Sequence, residues 1–160
     1  MELTGRRALV TAAGRGIGRG IALGLAAAGA RVAVNSFGEE TTAATVEAIR
    51  AANGEALALP GDATERGAIA RMVAAAGEGL GGLDILVNNV GAGPKDGIPA
   101  ADDPLAATAA VWDALYGQNL RPAVLTTEAA LARLRASPAA SIVNVSSIAG
   151  HATLSDRLLA

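Results

Sequence analysis

The sequence predicts an α/β fold, a doubly wound parallel sheet with helices on both faces. Three observations carry this expectation. Short apolar runs alternate with stretches of helical spacing, the runs are continuously apolar, and the first of them ends in a glycine-rich turn. Continuous apolar strands belong to a sheet covered on both faces, and strands separated by helices pair in parallel.

Taken in order, Ala8-Leu9-Val10 is the first run, and it leads into Thr11-Ala12-Ala13-Gly14-Arg15-Gly16-Ile17-Gly18. Ile17, Ile21 and Leu25 then recur at helical spacing as one helix face, which Gly29 closes. Val32-Ala33-Val34 is the second run, and a helix marked by Val46 and Ile49 follows it, closed at Asn53-Gly54. The third is Ala56-Leu57-Ala58-Leu59, followed by Gly61-Asp62-Ala63-Thr64 and a helix with Ile69, Met72 and Val73. Leu83-Asp84-Ile85-Leu86-Val87 is the fourth, stopped by Asn88-Asn89. Beyond it, residues 91–103 carry the Gly, Pro and Asp content of a loop over a binding face. Asp103-Pro104 then reads as an N-cap with proline at the first helical position, ahead of Leu105, Thr108, Trp112, Leu115 and Asn119. Another helix bears Val124, Ala130, Leu131 and Leu134, and the fifth strand is Ser141-Ile142-Val143-Asn144-Val145.

Composition narrows the function classes. Of 160 residues, 51% are hydrophobic and 2% aromatic, so the core is aliphatic, and a net charge of −2 leaves a chain that folds as one domain, residues 1–160. No basic run offers a footprint for nucleic acid or an anionic membrane, which makes a small molecule the expected partner. The absence of cysteine excludes thiolate metal sites and cysteine nucleophiles and fits a cytoplasmic location. No His, Asp or Glu cluster has metal-ligand spacing, and no apolar stretch is long enough for a membrane helix.

In an open parallel sheet, ligands bind beyond the carboxyl ends of the strands, near the point where strand order reverses. The turn after the first strand suits that place. Gly16 and Gly18 lack a Cβ, so the backbone can approach a pyrophosphate while the helix start offers unpaired N–H groups. A tight turn without a ligand would use the same residues. No Gly-Lys-Ser/Thr follows, so it is not a Walker A loop.

Further unusual groups stand at the other strand ends: Asp62, then Asn88-Asn89-Val90-Gly91, Trp112 with Asn119, and Ile142 to Gly150 with Ser146-Ser147. Together with the Thr11–Gly18 turn, in this order, they make the sequence resemble the short-chain dehydrogenase/reductase family, in particular its 3-oxoacyl-carrier-protein reductase and glucose dehydrogenase-like members. The resemblance implies a Rossmann fold and hydride transfer between a nicotinamide and a carbonyl or alcohol substrate. It implies Ser147 as the catalytic serine bonded to the substrate oxygen and Asn119 as the anchor of a water chain. It places the cofactor against Thr11, Gly14, Arg15, Gly16, Ile17, Gly18, Asn35, Ser36, Asp62, Ala63, Asn89, Val90 and Gly91. Asn88 would border the cofactor, Asn89 would face its adenosine side, and Asp62 would accept from the adenine amino group. Each has a plain local alternative: an Asn turn for the asparagines, and Asp62 or Thr64 as a helix N-cap. Trp112 reads as core or helix-packing mass and His151 as a surface loop residue.

NAD sites place an acid at the end of the second strand, whereas NADP sites omit it and supply a cation. Here the strand ends Asn35-Ser36-Phe37, the first acid is Glu39, and Arg15 lies in the turn. NADP(H) is therefore favoured, with NAD(H) as the alternative, although Phe37 stands where the family often has a second arginine. Two departures from the family pattern are Ala12, where the turn usually has glycine, and Val90, where alanine is usual.

The family's Tyr-x-x-x-Lys pair is expected shortly after Ser147, yet the one tyrosine, Tyr116, and the one lysine, Lys95, lie elsewhere. The expectation is a reductase cut short after its fifth strand, ending before its proton donor, where a whole member runs to roughly 250 residues. Strand five would then be an exposed edge, and the intact enzyme a dimer or tetramer packed through residues 104–136. The competing expectation is a non-catalytic dinucleotide-binding or interaction module.

Overall fold

The computed structural model describes residues 2–91 and 108–147. Five parallel strands form its sheet: β1 (Arg7–Val10), β2 (Arg31–Ser36), β3 (Ala56–Pro60), β4 (Ile85–Asn88) and β5 (Ser141–Asn144). Their spatial order is β3-β2-β1-β4-β5, so the chain winds outward from β1 in one direction and then from β1 in the other. The order reverses between β1 and β4, where Val10 stands beside Val87. The predicted doubly wound sheet is the one observed.

Helices α1 (Gly16–Ala27), α2 (Glu39–Ala51), α3 (Arg66–Leu80), α4 (Ala109–Asn119) and α5 (Arg121–Arg135) complete the fold. Strand β5 is exposed along its length, while around β1, β2 and β4 both sheet faces are sealed by aliphatic side chains. On one, Val10, Val32, Val34 and Val87 meet Ala22, Val46 and Ile49; on the other, Leu9, Leu86 and Leu83 meet Ile69, Val73, Ala76, Leu125 and Leu134. Small residues let the helices lie close. A Cβ on Gly77 of α3 would run into the side chain of Arg133 of α5.

Several expectations are corrected. Of the expected α1 face only Ile17 fails, being 69% exposed, and the buried positions of the helix are Gly18 and Ala22. Ile17 falls on the first turn, which projects past the strand ends, whereas Ile21 and Leu25 pack against the core with Ala22, Leu23 and Ala26. The N-cap of α3 is Glu65, whose carboxylate accepts from the N–H groups of Gly67 and Ala68 and is held below its usual pKa by those two bonds. Asp62 instead closes a turn, accepting from Thr64 N and Thr64 Oγ1 at 2.8 and 2.7 Å. Trp112 is 51% exposed on α4, not core. Thr108 stands at the N-cap position of α4 without a side-chain bond, Pro122 lies in the first turn of α5, and the expected cap at Asp103-Pro104, Lys95 and His151 lie outside the described residues.

At the amino ends of the strands, Arg7 and Asp84 form a two-pronged pair, Nε to Oδ2 and Nη2 to Oδ1, each 2.8 Å. Asp84 also accepts from the Arg7 backbone N–H and from Ser137 Oγ, which ties β1, β4 and the approach to β5 together. The guanidinium bonds hold the Asp84 carboxyl far below the usual carboxylate range, against the opposing effect of its burial.

Candidate dinucleotide site

All the candidate residues lie at the opposite, carboxyl ends of the strands, around the β1/β4 switch point. The turn from Thr11 to Arg15 is fastened on three sides. From β2, Asn35 is 1% exposed, and its Oδ1 accepts from Ala12 N at 3.3 Å while its carbonyl accepts from Ala13 N at 2.6 Å. The Asn35 amide donates to Leu59 O and Gly61 O at 2.9 and 3.1 Å, so one buried side chain joins the ends of β1, β2 and β3.

From β4, the backbone N–H of Asn89 donates to Thr11 Oγ1 at 2.9 Å, and its side-chain amide donates to Thr11 O and Ala12 O. From α2, the buried hydroxyl of Thr45 lies within 3.1 Å of Ala13 O and 3.4 Å of Gly14 O. Thr45 escaped the sequence reading because a threonine inside a helix carries no motif; only its place on the buried face with Val46 and Ile49 hinted at it.

The glycines of the turn do different jobs. A Cβ on Gly18 would strike the Asn89 side chain and come within 2.5 Å of Ala12 O. A Cβ on Gly14 would reach Ser36 and lie 2.7 Å from Thr41 Oγ1. Gly16 has open space around its Cα but sits at φ 55°, a left-handed conformation natural to glycine. Ala12 also has positive φ, 50°, and it occupies the position where the family pattern has glycine.

Helix α1 begins at Gly16 with no side-chain cap on its first N–H groups, because Arg15 at the N-cap position makes no such bond. Uncapped donors at the positive end of a helix, beside backbone stripped of Cβ atoms, form a seat for a phosphate group. The residues present therefore fit a dinucleotide pyrophosphate.

Around this seat, Ser36 ends β2 with its hydroxyl 3.2 Å from Thr41 Oγ1, and Phe37 beyond it is 81% exposed. Asn35, Gly61 and Asp62 open onto a groove of about 240 Å³ that runs along the edge of β3 to Arg71 of α3. Ala63 is buried. Asn88 does not border the cleft: it is 4% exposed, and its amide donates to Thr127 Oγ1 of α5 and Asn144 Oδ1 of β5. The strand pleat explains this, since consecutive residues point to opposite faces and only Asn89 faces the turn. Val90 packs against the core. Gly91 lies against Asn119, whose Oδ1 would be 3.2 Å from a Cβ there, and the Asn119 amide donates to Leu115 O. Ser146 and Ser147 are exposed just past β5.

Comparison with known proteins identifies the family and the fold. Residues 6–157 match the family described as short chain dehydrogenase. A Streptomyces violaceoruber protein, provisionally named granaticin polyketide synthase ketoacyl reductase 2, is 44% identical over 89% of this chain and 55% of its own length. A 7α-hydroxysteroid dehydrogenase complexed with NADH and 7-oxo glycochenodeoxycholic acid superposes with a TM-score of 0.85 at 28% identity, covering 95% of this chain and 57% of its own. A short chain dehydrogenase from Burkholderia cenocepacia J2315 in complex with NADP gives 0.81 at 35%, covering 94% and 59%. The chain thus spans little more than half the length of the relatives it matches.

Proposed function

The chain belongs to the short-chain dehydrogenase family, and from that premise we propose that it binds NADP(H) in preference to NAD(H) and supplies the dinucleotide-binding part of an oxidoreductase that transfers a hydride between the nicotinamide and a carbonyl or alcohol substrate. The observation that carries this reading is the Gly18 cradle, where the absent Cβ leaves Asn89 in place against Ala12 O beside the uncapped start of α1. Bound there, the nicotinamide dinucleotide supplies the hydride.

The residues then divide the work. Main-chain N–H groups at Gly16, Ile17 and Gly18 hold the pyrophosphate, with Thr11, Gly14 and Asn89 keeping the turn in shape. Asp62 and Ala63 border the adenine, and Val90 and Gly91 form the wall toward the nicotinamide. Asn35 acts from below by fixing the turn. Ser147 donates to the substrate oxygen and stabilises the negative charge that develops on it, and Asn119 orders water behind Gly91.

NADP(H) is favoured because the exposed Arg15 of the turn and Ser36, at the end of β2, stand on either side of Gly14 with no carboxylate at that strand end. The first acid, Glu39, opens α2 and is exposed. Residues 1–160 act as one dinucleotide-binding unit in this reading. Their one tyrosine and one lysine stand outside the Tyr-x-x-x-Lys pattern, so they hold the dinucleotide without completing proton transfer to a carbonyl. Association of copies through α4 and α5 follows from the exposed Trp112, Tyr116, Leu120 and Val124 at four-residue spacing.

Titration of nicotinamide fluorescence tests the proposal. Saturable binding of NADPH, tighter than that of NADH, is the expected result, and no consumption of NADPH when ketones are added. Failure of both dinucleotides to bind overturns the reading, and turnover of a ketone overturns the claim about proton transfer.

A further inference from the structure

We propose that Thr41, which belongs to none of the nucleotide motifs, is a positioning residue for cofactor choice, its hydroxyl proton freeing Ser36 to donate to a phosphate on the adenosine ribose. This rests on the dinucleotide reading above. The basis is a count of donors and acceptors at the start of α2.

The carbonyl oxygen of Gly38 is approached by three donors: Thr42 N at 3.1 Å, Thr42 Oγ1 at 2.7 Å and Thr41 Oγ1 at 3.0 Å. A carbonyl oxygen has two lone pairs, so one of the three is surplus. Thr42 is fully buried and its hydroxyl is confined to carbonyl acceptors, Gly38 O and, at 3.4 Å, Ser36 O. The surplus donor is therefore the exposed Thr41.

Thr41 Oγ1 is also 3.2 Å from Ser36 Oγ, and either can be the donor. While Thr41 donates to Gly38, the proton between the two hydroxyls must come from Ser36. When an anionic oxygen arrives, the Ser36 O–H turns to it, the Thr41 O–H turns to Ser36 Oγ, and Gly38 O keeps both donors from Thr42. No group loses its last partner. The resulting chain, Thr41 to Ser36 to anion, is strengthened along its length, because a hydroxyl that accepts a bond becomes a better donor.

Such a chain discriminates by charge. A hydrogen bond to an ionised oxygen is roughly twice as strong as one between neutral groups, so the chain gains more from a ribose phosphate than from a ribose hydroxyl. The two hydroxyls are also in the right place. They crowd the missing Cβ of Gly14, so they lie directly against the turn, next to Arg15. Arg15 is exposed and forms no ion pair among the described residues.

The test compares the wild-type chain with Thr41→Val, which keeps the branched shape, Thr41→Ser, which keeps the hydroxyl, Ser36→Ala, and the Ser36→Ala/Thr41→Val double variant. Dissociation constants for NADPH and NADH are read from nicotinamide fluorescence, with displacement by 2′-AMP and 5′-AMP and thermal melts as a check on folding. Ser36→Ala is expected to weaken NADPH about tenfold and NADH less than about twofold. Thr41→Val is expected to weaken NADPH and 2′-AMP about threefold to fivefold and leave NADH and 5′-AMP alone, with Thr41→Ser restoring the wild-type value. The double variant should equal Ser36→Ala, since Thr41 acts through Ser36. A Thr41→Val effect that is equal for both dinucleotides, absent, or additive to Ser36→Ala overturns the inference while the dinucleotide site stands. No binding of either dinucleotide by the wild-type chain overturns both.

Discussion

Asn89 donates its side-chain amide to the carbonyl oxygen of Ala12 across 3.2 Å, and that bond runs through the space a side chain on Gly18 would fill. The residue past β4 thus sets the shape of the turn past β1, but only while position 18 is bare. Gly18→Ala is expected to displace Asn89 and weaken NADPH binding by at least about tenfold, with a stability loss of about 1–3 kcal/mol from the crowding. Titration and denaturant unfolding of the same variant separate the two effects. Unchanged affinity would mean that Asn89 is not what shapes the seat.

Ala12 offers the opposite experiment. Its φ of 50° costs an L-residue about 1–2 kcal/mol, more than the roughly 0.4–1 kcal/mol that glycine adds to the entropy of the unfolded chain. Ala12→Gly should therefore stabilise the protein by about 0.5–1 kcal/mol and raise the melting temperature by roughly 2–3 °C. Removal of the methyl should also tighten NADPH binding. A lower melting temperature would show that the turn relaxes around the alanine.

Asn35 is the joint between three strand ends. Asn35→Leu keeps the approximate volume but leaves Ala12 N, Leu59 O and Gly61 O without that partner, and should cost about 2–4 kcal/mol in urea unfolding. Dinucleotide affinity should fall with it, measured well below the unfolding transition. Asn35→Asp keeps the acceptor toward Ala12 but loses both amide donors, so it should rescue neither property.

Phe37 is exposed just beyond Ser36. Phe37→Arg should raise the NADPH over NADH preference about fivefold at low ionic strength, with the gain shrinking as salt is added. Stability should change by less than about 0.5 kcal/mol, as for other surface substitutions. A gain for both dinucleotides alike would place Phe37 away from the ribose phosphate.

The Asp84 carboxyl is held far below its unfolded value, chiefly by Arg7. For a carboxyl lowered in the folded state, the stabilisation is complete above the unfolded pKa, about 4, and drains away as pH falls below it toward the folded value. Asp84→Asn should cost about 2 kcal/mol at neutral pH, allowing for the part of Arg7 open to solvent. The gap to wild type should narrow as pH drops below about 4. A gap independent of pH would assign the effect to packing.

The sheet was legible in the sequence because its signal is local. Each of the five strands ends in a change of composition, such as Val87 to Asn88-Asn89, and the alternation with helices fixed parallel pairing. The glycine-rich turn was legible for the same reason. What fastens the turn was not. Asn35 and Thr45 act on residues 23 and 32 positions away in the chain, and a polar residue in a strand or mid-helix announces no partner. Asn88 and Asn89 could not be told apart without knowing which face of β4 covers the core. Trp112 and Ile17 misled because apolar character was taken as burial, although each lies where no layer packs against it among the described residues.

Because the Arg7–Asp84 clamp grips the sheet at the end remote from the nucleotide seat, the protein keeps its anchorage and its chemistry at separate poles. Substitutions at one pole share no partners with the other, so their free energies should add. The lip of the cleft is thereby left room to be retuned for a different ligand without loosening the foundations.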